Sequence, residues 1–340
     1  GLPHTPRDRA GAGIVLVPVP FEATTSYGGG TAAGPGAILR ASMQVDLLDH
    51  QFGRTYERGI FMERAPGWIG TLSRKARGGA GGGANARDRA AVRMIDAAGE
   101  KINAHTHAAA ARILAEGKTP GLVGGDHSTP FGFIRACAEH VAGLKGGRGR
   151  TGAGGGLGIL QVDAHMDFRE AYEGFTWSHA SIMFNVLERL PQVSRLVQVG
   201  IRDYGEDERA YGRAHKGRVR THFDFDWARR IEAGAGTWEG LCKAAIKPLP
   251  RHVYISFDID GLDPALCPHT GTPVPGGLSF HRACVLLEVL ARSGRRIVGF
   301  DLNEVSPGLK PDPREPEWDA NVGARVLYKL CGAAARASGG

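Results

Sequence analysis

Short apolar segments alternate with longer amphipathic segments along this chain, and this alternation constrains its fold more than any other feature. Residues 14–18, 157–162 and 297–303 are largely apolar runs of strand length, and such runs are typical of strands that are buried on both faces. Between the first two, residues 87–116 carry apolar side chains at helical spacing. Strands that alternate with helices predict a mainly parallel sheet covered by helices on both faces. The 340 residues, 42% of them hydrophobic, suffice for one large α/β domain or two smaller ones.

Acidic and histidine side chains follow several of the predicted strands. Asp163 and His165 come directly after the strand at 157–162. Because side chains on a strand alternate between its two faces, this pair leaves the carboxyl end on the same side. The same spacing recurs after the strand at 251–257, a histidine follows a third strand, and a further acid lies just beyond His165. The candidate metal ligands are His127, Asp163, His165, Asp167, Asp258 and Asp260.

Six ligands are more than one metal ion needs when it also holds a water molecule. Four carboxylates balance the charge of two divalent cations, and mixed oxygen and imidazole ligation suits a metal such as manganese better than a thiolate-bound one. Nickel, iron and cobalt accept the same ligands. The sequence therefore predicts two metal ions that share a bridging hydroxide.

Three segments resemble the signatures of the arginase and agmatinase (ureohydrolase) family. They are Gly-Gly-Asp-His at 124–127, Asp-Ala-His-Met-Asp at 163–167 and Ser-Phe-Asp-Ile-Asp-Gly-Leu-Asp-Pro at 256–264, in the order found in that family. The resemblance extends from about residue 14 to about residue 331, and residues 271–278 are most similar to the agmatinase-like subgroup. It implies the three-layer α/β/α arginase-type fold with a mainly parallel central sheet, manganese as the usual metal, and assembly as a homo-oligomer, either a trimer or a hexamer.

The resemblance also implies roles for two residues outside the metal ligands. Glu304, in Glu-Val-Ser-Pro, matches the family glutamate that binds the guanidinium of the substrate, and a carboxylate pairs well with parallel N–H donors. His179 lies where the family has the histidine that passes a proton to the departing amine; the alternative is an ordinary residue at a helix N-terminus. In this mechanism Asp167 takes a proton from the water and His179 completes its delivery.

Residues 169–181 depart from the family pattern and leave the substrate open. Arg169 and Trp177 have no counterpart in the family, so they either shape the substrate pocket or belong to the loop surface, and Arg169 is a candidate partner for a substrate carboxylate. Asp203 lies where an acid of arginases helps to hold the amino-acid end of the substrate. The acids that follow it at 206–208 favour the start of a surface helix instead.

The predicted reaction is the hydrolysis of a small cationic guanidino compound to urea and an amine. Residues 271–278 favour agmatine, which would yield putrescine, while guanidinobutyrate, guanidinopropionate, arginine and guanidine stay open. Hydrolysis of an amide or formimino C–N bond would use the same metals. A non-enzymatic polyamine-binding protein is disfavoured, because all six predicted ligands are present.

Charge and cysteine content bear on partners and location. The net charge of +7 comes from scattered basic residues with acidic neighbours rather than from one basic stripe, which argues against a nucleic-acid partner. The sequence contains no apolar run of about 18 residues, the length that predicts a membrane-spanning helix. Five cysteines without paired spacing indicate a reducing, cytoplasmic environment.

Domain boundaries follow from the distribution of glycine and polar residues. Residues 14–334 are predicted to form a single domain, with a flexible tail at 1–13 and a disordered tail at 335–340. The glycine-rich stretches at 76–86 and 146–156 predict surface loops. Gly34 and Pro35 predict the start of a helix that runs toward Leu48.

Overall fold

Strands and helices alternate throughout the part of the chain that the computed structural model describes, which is residues 8–79, 89–144, 155–309 and 317–337. The strands are β1 (Ile14–Val19), β2 (Ile60–Met62), β3 (Thr119–Gly124), β4 (Leu157–Val162), β5 (Val193–Ile201), β6 (Val219–Phe223), β7 (His252–Asp258) and β8 (Arg296–Asn303). The helices are α1 (Gly34–Ala41), α2 (Gly67–Gly79), α3 (Arg89–Ala115), α4 (Phe131–Gly143), α5 (Ile182–Arg189), α6 (Glu206–Ala214), α7 (Asp224–Glu232), α8 (Trp238–Ile246), α9 (Phe280–Ala291) and α10 (Trp318–Ala337). None of the described helices combines the length and apolar character needed to cross a membrane.

The described strands form one parallel sheet in the order β2-β1-β3-β8-β7-β4-β5-β6. Parallel neighbours need long crossover connections, and helices of the chain supply them. The strand order changes direction within the sheet. The first strands of the chain lie on one side, next to β8, and β4, β5 and β6 lie on the other side, next to β7. The predicted class of a mainly parallel α/β sheet is confirmed.

Two apolar cores lie on opposite faces of the sheet. Ile14 and Leu16 of β1 belong to the core that α1, α8, α9 and α10 cover, whereas Val15 and Val17 belong to the core that α3, α4 and α5 cover. Alternation of side chains along a strand requires this division. Burial on both faces also explains why the strands read as continuous apolar runs in the sequence. The resulting helix-sheet-helix arrangement is the predicted three-layer fold.

The predicted tails are shorter than the sequence indicates. Arg9 forms ion pairs with Glu63 (Nε to Oε1, 2.7 Å) and Glu116 (Nη1 to Oε2, 2.8 Å), and Ala12 is buried. Residues 8–13 are therefore packed against the domain, and the prediction of a flexible tail is wrong for them. At the other end, residues 335–337 continue α10. Residues 1–7 and 338–340 lie outside the described part.

The glycine-rich stretch at 76–86 begins inside a helix rather than in a loop. Residues 76–79 form the end of α2, where Ala76 is buried and Arg77 pairs with the fully buried Glu22 at 2.6 Å. These two contacts stabilise the last helical turn against the low helix propensity of glycine. The rest of that stretch, and residues 146–154 of the second one, lie outside the described part.

The first helix is also shorter than predicted. It ends at Ala41 and passes into a 3₁₀ turn at Ser42–Gln44 instead of continuing to Leu48. The hydroxyl of Ser42 donates to the carbonyl of Leu39 at 2.7 Å. Such a bond from serine to a nearby backbone carbonyl competes with the regular helical pattern, which accounts for the early end.

Gly125 lies where two segments of backbone approach most closely, and its substitution by alanine should destabilise the fold. A Cβ at this position would lie 1.9 Å from the carbonyl oxygen of Phe21, which accepts the N–H of Asp126. We expect Gly125→Ala to lower the free energy of unfolding by about 3 kcal/mol, as overpacking does. Gly36→Ala is the control, since its nearest neighbour would be 3.6 Å away, and it should be neutral or stabilising. Equal urea midpoints for both variants would contradict this prediction.

Candidate metal centre and substrate cavity

The carboxyl ends of four neighbouring strands meet at one edge of the sheet. The order β3-β8-β7-β4 brings together the residues that follow these strands. Asp258 is the last residue of β7, Asp163 directly follows β4, and His127 lies in the turn after β3. Open α/β sheets bind their ligands at this edge, where the order of the strands reverses.

His127 is the centre of a first cluster of candidate ligands. Its Nδ1 lies 3.1 Å from Oδ2 of each of Asp163, Asp167 and Asp258, and all four side chains are buried. Asp167 reaches this point with a left-handed backbone, φ 57°, a conformation that non-glycine residues adopt rarely. Three carboxylates and one imidazole therefore converge on one position.

A second cluster adjoins the first and shares Asp163 with it. Nδ1 of His165 lies 3.0 Å from Oδ2 of Asp260 and 3.6 Å from Oδ1 of Asp163. Within each of the groups His127–Asp163–Asp167 and Asp163–His165–Asp260, the potential ligand atoms lie within 4.8 Å of one another. The two oxygens of Asp163 thus face different clusters. All six predicted ligands are brought together, in a geometry that suits a pair of cations.

The charges at this centre call for a cationic partner. Burial, together with the charge of Asp163, raises the pKa of Asp167 to about 8. Burial and the charges of Asp260 and Asp163 raise the pKa of Asp258 well above its usual value. Burial lowers the pKa of His127, but the three carboxylates around its Nδ1 outweigh burial and raise that pKa overall. Divalent cations would hold the carboxylates ionised and the imidazoles neutral, which is the state in which they coordinate metal.

Glu304 follows β8 and points its carboxylate at the same centre. Its backbone has φ 63°, and Oε1 accepts the N–H of His127 at 2.8 Å. The other oxygen, Oε2, is buried without a hydrogen-bond partner among the described residues. Burial, reinforced by the charges of Asp258 and Asp126, raises the pKa of Glu304 well above its usual value. A buried acceptor without a partner is costly, and a cationic donor would relieve that cost.

His179 lies beside a cavity of about 190 Å³ that opens next to the metal ligands. Its Nδ1 is 3.1 Å from Oγ1 of Thr24, and burial lowers its pKa to about 4. Its imidazole is therefore neutral near pH 7. The cavity is lined by Ser26, His165, Asp167, Arg169, Tyr172, His179, Ala180, Asp203, Tyr204, Glu208 and Thr272.

Among the predicted substrate contacts, Arg169 and Asp203 line this cavity and Trp177 does not. Trp177 packs instead against Phe131, with ring centroids 4.8 Å apart, and beneath the guanidinium of Arg189 at 5.0 Å. The indole is apolar and finds its contacts between α4 and α5, so the prediction that it binds substrate is corrected. The structure places Trp177 in the packing of the helical layer.

Several residues that line the cavity were not predicted from the sequence. The rings of Tyr172 and Tyr204 form part of its wall, and the hydroxyl of Thr272 donates to Oδ2 of Asp260 at 3.2 Å. The position of Thr272 in the agmatinase-like segment 271–278 is the sequence feature that could have identified it as a cavity residue. Tyr27, in the loop after β1, is 86% exposed and does not line the cavity.

A chain of hydrogen bonds supports His127 from the side opposite its candidate metal. Nε2 of His127 lies 3.0 Å from Oγ of Ser256, which donates to Oδ1 of Asp301 at 3.0 Å. Asp301 is fully buried, and burial raises its pKa to about 6. Partners of this kind orient a metal-ligating histidine and fix which nitrogen faces the metal.

Replacement of Asp301 should therefore weaken metal binding without removing a ligand. We expect Asp301→Asn to lower the affinity for a divalent cation by about 10- to 100-fold, the usual effect of disturbing the partners of a ligand. Calorimetric titration of the metal-free protein measures this affinity. Ser293→Ala is the control, since that hydroxyl donates to the carbonyl of Leu290 at the end of α9 instead. Unchanged affinity in Asp301→Asn would contradict the supporting role.

The fold and this centre define a class of α/β protein with a paired candidate metal site at the carboxyl edge of a parallel sheet. The chain belongs to the Arginase family, whose sequence profile matches residues 12–332. It is similar to N(1)-aminopropylagmatine ureohydrolase of Thermus thermophilus, 32% identical over 90% of this chain and 86% of that one. It is also similar to proclavaminate amidinohydrolase of Streptomyces clavuligerus, 30% identical over 96% of this chain and 91% of that one.

A solved structure shares this fold. The agmatine ureohydrolase of Thermoplasma volcanium superposes with a TM-score of 0.69, covers 98% of this chain and 94% of its own, and is 22% identical, which supports the fold alone. The family and its curated relatives make this chain a ureohydrolase that acts on guanidino compounds, and hence a hydrolase of amidine C–N bonds. The predicted family and reaction class are confirmed.

Proposed function

We propose that the protein hydrolyses agmatine to putrescine and urea, with manganese as its metal. The observation that carries this proposal is Oε2 of Glu304, which is buried beside the two clusters of candidate ligands and has no hydrogen-bond partner in the described part of the chain. A guanidinium offers parallel N–H donors to such a carboxylate. Pairing with Glu304 would fix the plane of the guanidinium and place its central carbon next to the metal centre.

The donor set fits two divalent cations. His127, Asp163, Asp167 and Asp258 would hold one, and His165, Asp260 and the second oxygen of Asp163 would contribute to the other. Hard and borderline oxygen and nitrogen donors suit manganese, and the same donors accept nickel, iron or cobalt. When bound, a pair of cations lowers the pKa of a shared water and so supplies a nucleophile near neutral pH.

Side chains of the protein then accept and donate the protons of the reaction. Glu304 pairs with the guanidinium, and water adds to its carbon to give a tetrahedral intermediate. Asp167 accepts a proton from the water, and the neutral His179 passes a proton to the nitrogen that leaves as the amine. The C–N bond to that nitrogen breaks, so one water and one protonated guanidine give urea and an ammonium ion.

The charges around the cavity support a cationic substrate tail. Asp203 is exposed and lines the cavity. Arg169 lies 3.5 Å from the buried Oε2 of Glu208, so a neighbouring carboxylate already balances its charge. The net charge left on this part of the wall is negative, which suits the ammonium group of agmatine better than a carboxylate.

Two further properties extend the proposal. The five cysteines are all free and buried, which supports a reducing, cytoplasmic location. The family resemblance supports assembly as a homo-oligomer, a trimer or a hexamer. Size-exclusion chromatography with light scattering would test the assembly, and a monomer at working concentration would contradict it.

A substrate panel tests the proposed function. Manganese-loaded protein should release urea fastest from agmatine when agmatine, arginine, guanidinobutyrate, guanidinopropionate and guanidine are compared at equal concentration. The metal content of the same sample should be two ions per chain. Preference for guanidinobutyrate would indicate that Arg169 binds the carboxylate tail of the substrate. No urea from any of them, with two ions bound, would contradict the proposal.

A further inference from the structure

Thr24 joins two distant segments of the chain beside the cavity. It lies in the loop after β1 and is 2% exposed. Its Oγ1 accepts the backbone N–H of His179 at 3.0 Å and lies 3.1 Å from Nδ1 of the same residue. Ser178 is the alternative partner of that nitrogen, at a longer 3.4 Å. Thr24 therefore contacts both the backbone and the ring of His179.

Asp126 holds Thr24 in this position. Its Oδ2 accepts the N–H groups of Ala23 at 2.8 Å and Thr24 at 3.2 Å, and the hydroxyl of Thr24 donates to the same oxygen at 3.4 Å. Its Oδ1 accepts the N–H of Ser128 at 3.1 Å. Asp126 is fully buried and stands next to His127 in the sequence, yet it belongs to neither group of candidate ligands.

The hydrogen bonds of the Thr24 hydroxyl indicate which tautomer His179 adopts. A threonine hydroxyl has one proton and two lone pairs. The backbone N–H of His179 occupies one lone pair, and the hydroxyl donates its proton to Oδ2 of Asp126 at 3.4 Å. The remaining lone pair then faces Nδ1, which must carry a hydrogen to bond with it. Nε2 of His179 is left without a hydrogen, as the proton-accepting nitrogen.

We propose that Thr24, held by Asp126, is a positioning residue that fixes the ring of His179 in its Nδ1–H tautomer and leaves Nε2 free to accept a proton. This inference rests on the proposed function, because it gives His179 the state that a proton shuttle needs. Thr24 acts through His179 and need not touch the substrate. The arrangement parallels catalytic sites in which a hydrogen-bond partner on one histidine nitrogen sets the tautomer for the other.

Substitution of Thr24 tests the proposal. We expect Thr24→Val, which keeps the shape and removes the hydroxyl, to lower kcat about 10- to 100-fold with KM within about 3-fold, as loss of part of an acid–base effect would. Thr24→Ser should restore most of kcat. Thr25→Val is the matched control, since that hydroxyl donates to Glu22 at 3.1 Å instead. Full kcat in Thr24→Val would overturn the proposal.

A double-mutant cycle separates positioning from general support of the fold. If Thr24 acts through His179, Thr24→Val should have no further effect on kcat in a His179→Asn background. The same loss in both backgrounds would assign Thr24 a purely structural role and overturn the proposal. Thr24→Ala replaces Thr24→Val in the cycle if the valine variant does not fold.

Nuclear magnetic resonance of the wild-type chain tests the tautomer without any substitution. Long-range ¹H–¹⁵N spectra are recorded on protein that carries ¹⁵N-labelled histidine and is loaded with zinc. They should show a hydrogen on Nδ1 of His179 and none on Nε2. The spectrum of His179→Asn identifies which signals belong to His179. A hydrogen on Nε2 would overturn the proposal. Because this measurement needs no turnover, it decides the tautomer even if no guanidino compound is hydrolysed, which would contradict the proposed function alone.

Discussion

Asp163→Asn should abolish both metal binding and urea release. Asp163 is the residue that the two groups of candidate ligands share, with one oxygen facing His127 and the other facing His165. Its loss removes a carboxylate from both positions and leaves too little negative charge for two divalent cations. We expect the variant to retain at most one ion per chain and to lose about 10³-fold in kcat/KM, or about 4 kcal/mol of barrier lowering.

The control for Asp163→Asn comes from an adjoining motif. Asp263 is exposed, and its Oδ1 accepts the N–H of Ala265 at 2.9 Å, so Asp263→Asn should keep two ions and full activity. Metal analysis by mass spectrometry and a urea assay on the same samples give both readouts, while circular dichroism checks the fold. Two ions and full turnover in Asp163→Asn would contradict the shared position.

The positions of the candidate metal ligands were predictable because local chemistry determines them. Asp163 and His165 follow an apolar run that reads as a buried strand, and their spacing of two places them on one side of it. The parallel sheet then brings the ends of its strands to a common edge. Glu304 follows β8 by the same logic. The structure adds its left-handed backbone and an oxygen that has no hydrogen-bond partner among the residues described.

Contacts between distant loops were not predictable in this way. Thr24 and His179 are 155 positions apart, and no periodicity links them. Trp177 was a candidate substrate contact because it lies in the segment 169–181 that departs from the family pattern. Residues in irregular segments follow no fixed period, however, and an indole gains more from packing against Phe131 and Arg189 than from a polar cavity.

Element boundaries depended on contacts that composition does not reveal. The glycine-rich end of α2 stays helical because Arg77 pairs with the buried Glu22, and the segment before β1 is ordered by the ion pairs of Arg9. Both cases involve partners more than 50 positions away in the sequence. Local propensity therefore predicted flexibility where tertiary contacts impose order.

Glu304→Gln should remove activity while leaving the metal centre intact. Glutamine has nearly the same shape, and its amide oxygen can still accept the N–H of His127 that Oε1 accepts at 2.8 Å. The metal ligands are unchanged, so we expect two ions per chain. The amide cannot offer a charged, bidentate acceptor to a guanidinium, so kcat/KM should fall about 10³-fold, roughly 4 kcal/mol.

The same substitution should not weaken the fold, and this separates a binding role from a structural one. Oε2 of Glu304 has no hydrogen-bond partner among the described residues and lies close to other buried acids, so removing its charge relieves an unfavourable burial. The free energy of unfolding of the metal-free variant should stay equal or rise, as measured by urea denaturation. Glu170→Gln, at an exposed position beside Arg169, is the control and should leave both properties unchanged. Retained activity in Glu304→Gln would show that Glu304 does not bind the guanidinium. Loss of bound metal would contradict the binding role as well, because the contact to His127 would then be the main contribution of Glu304.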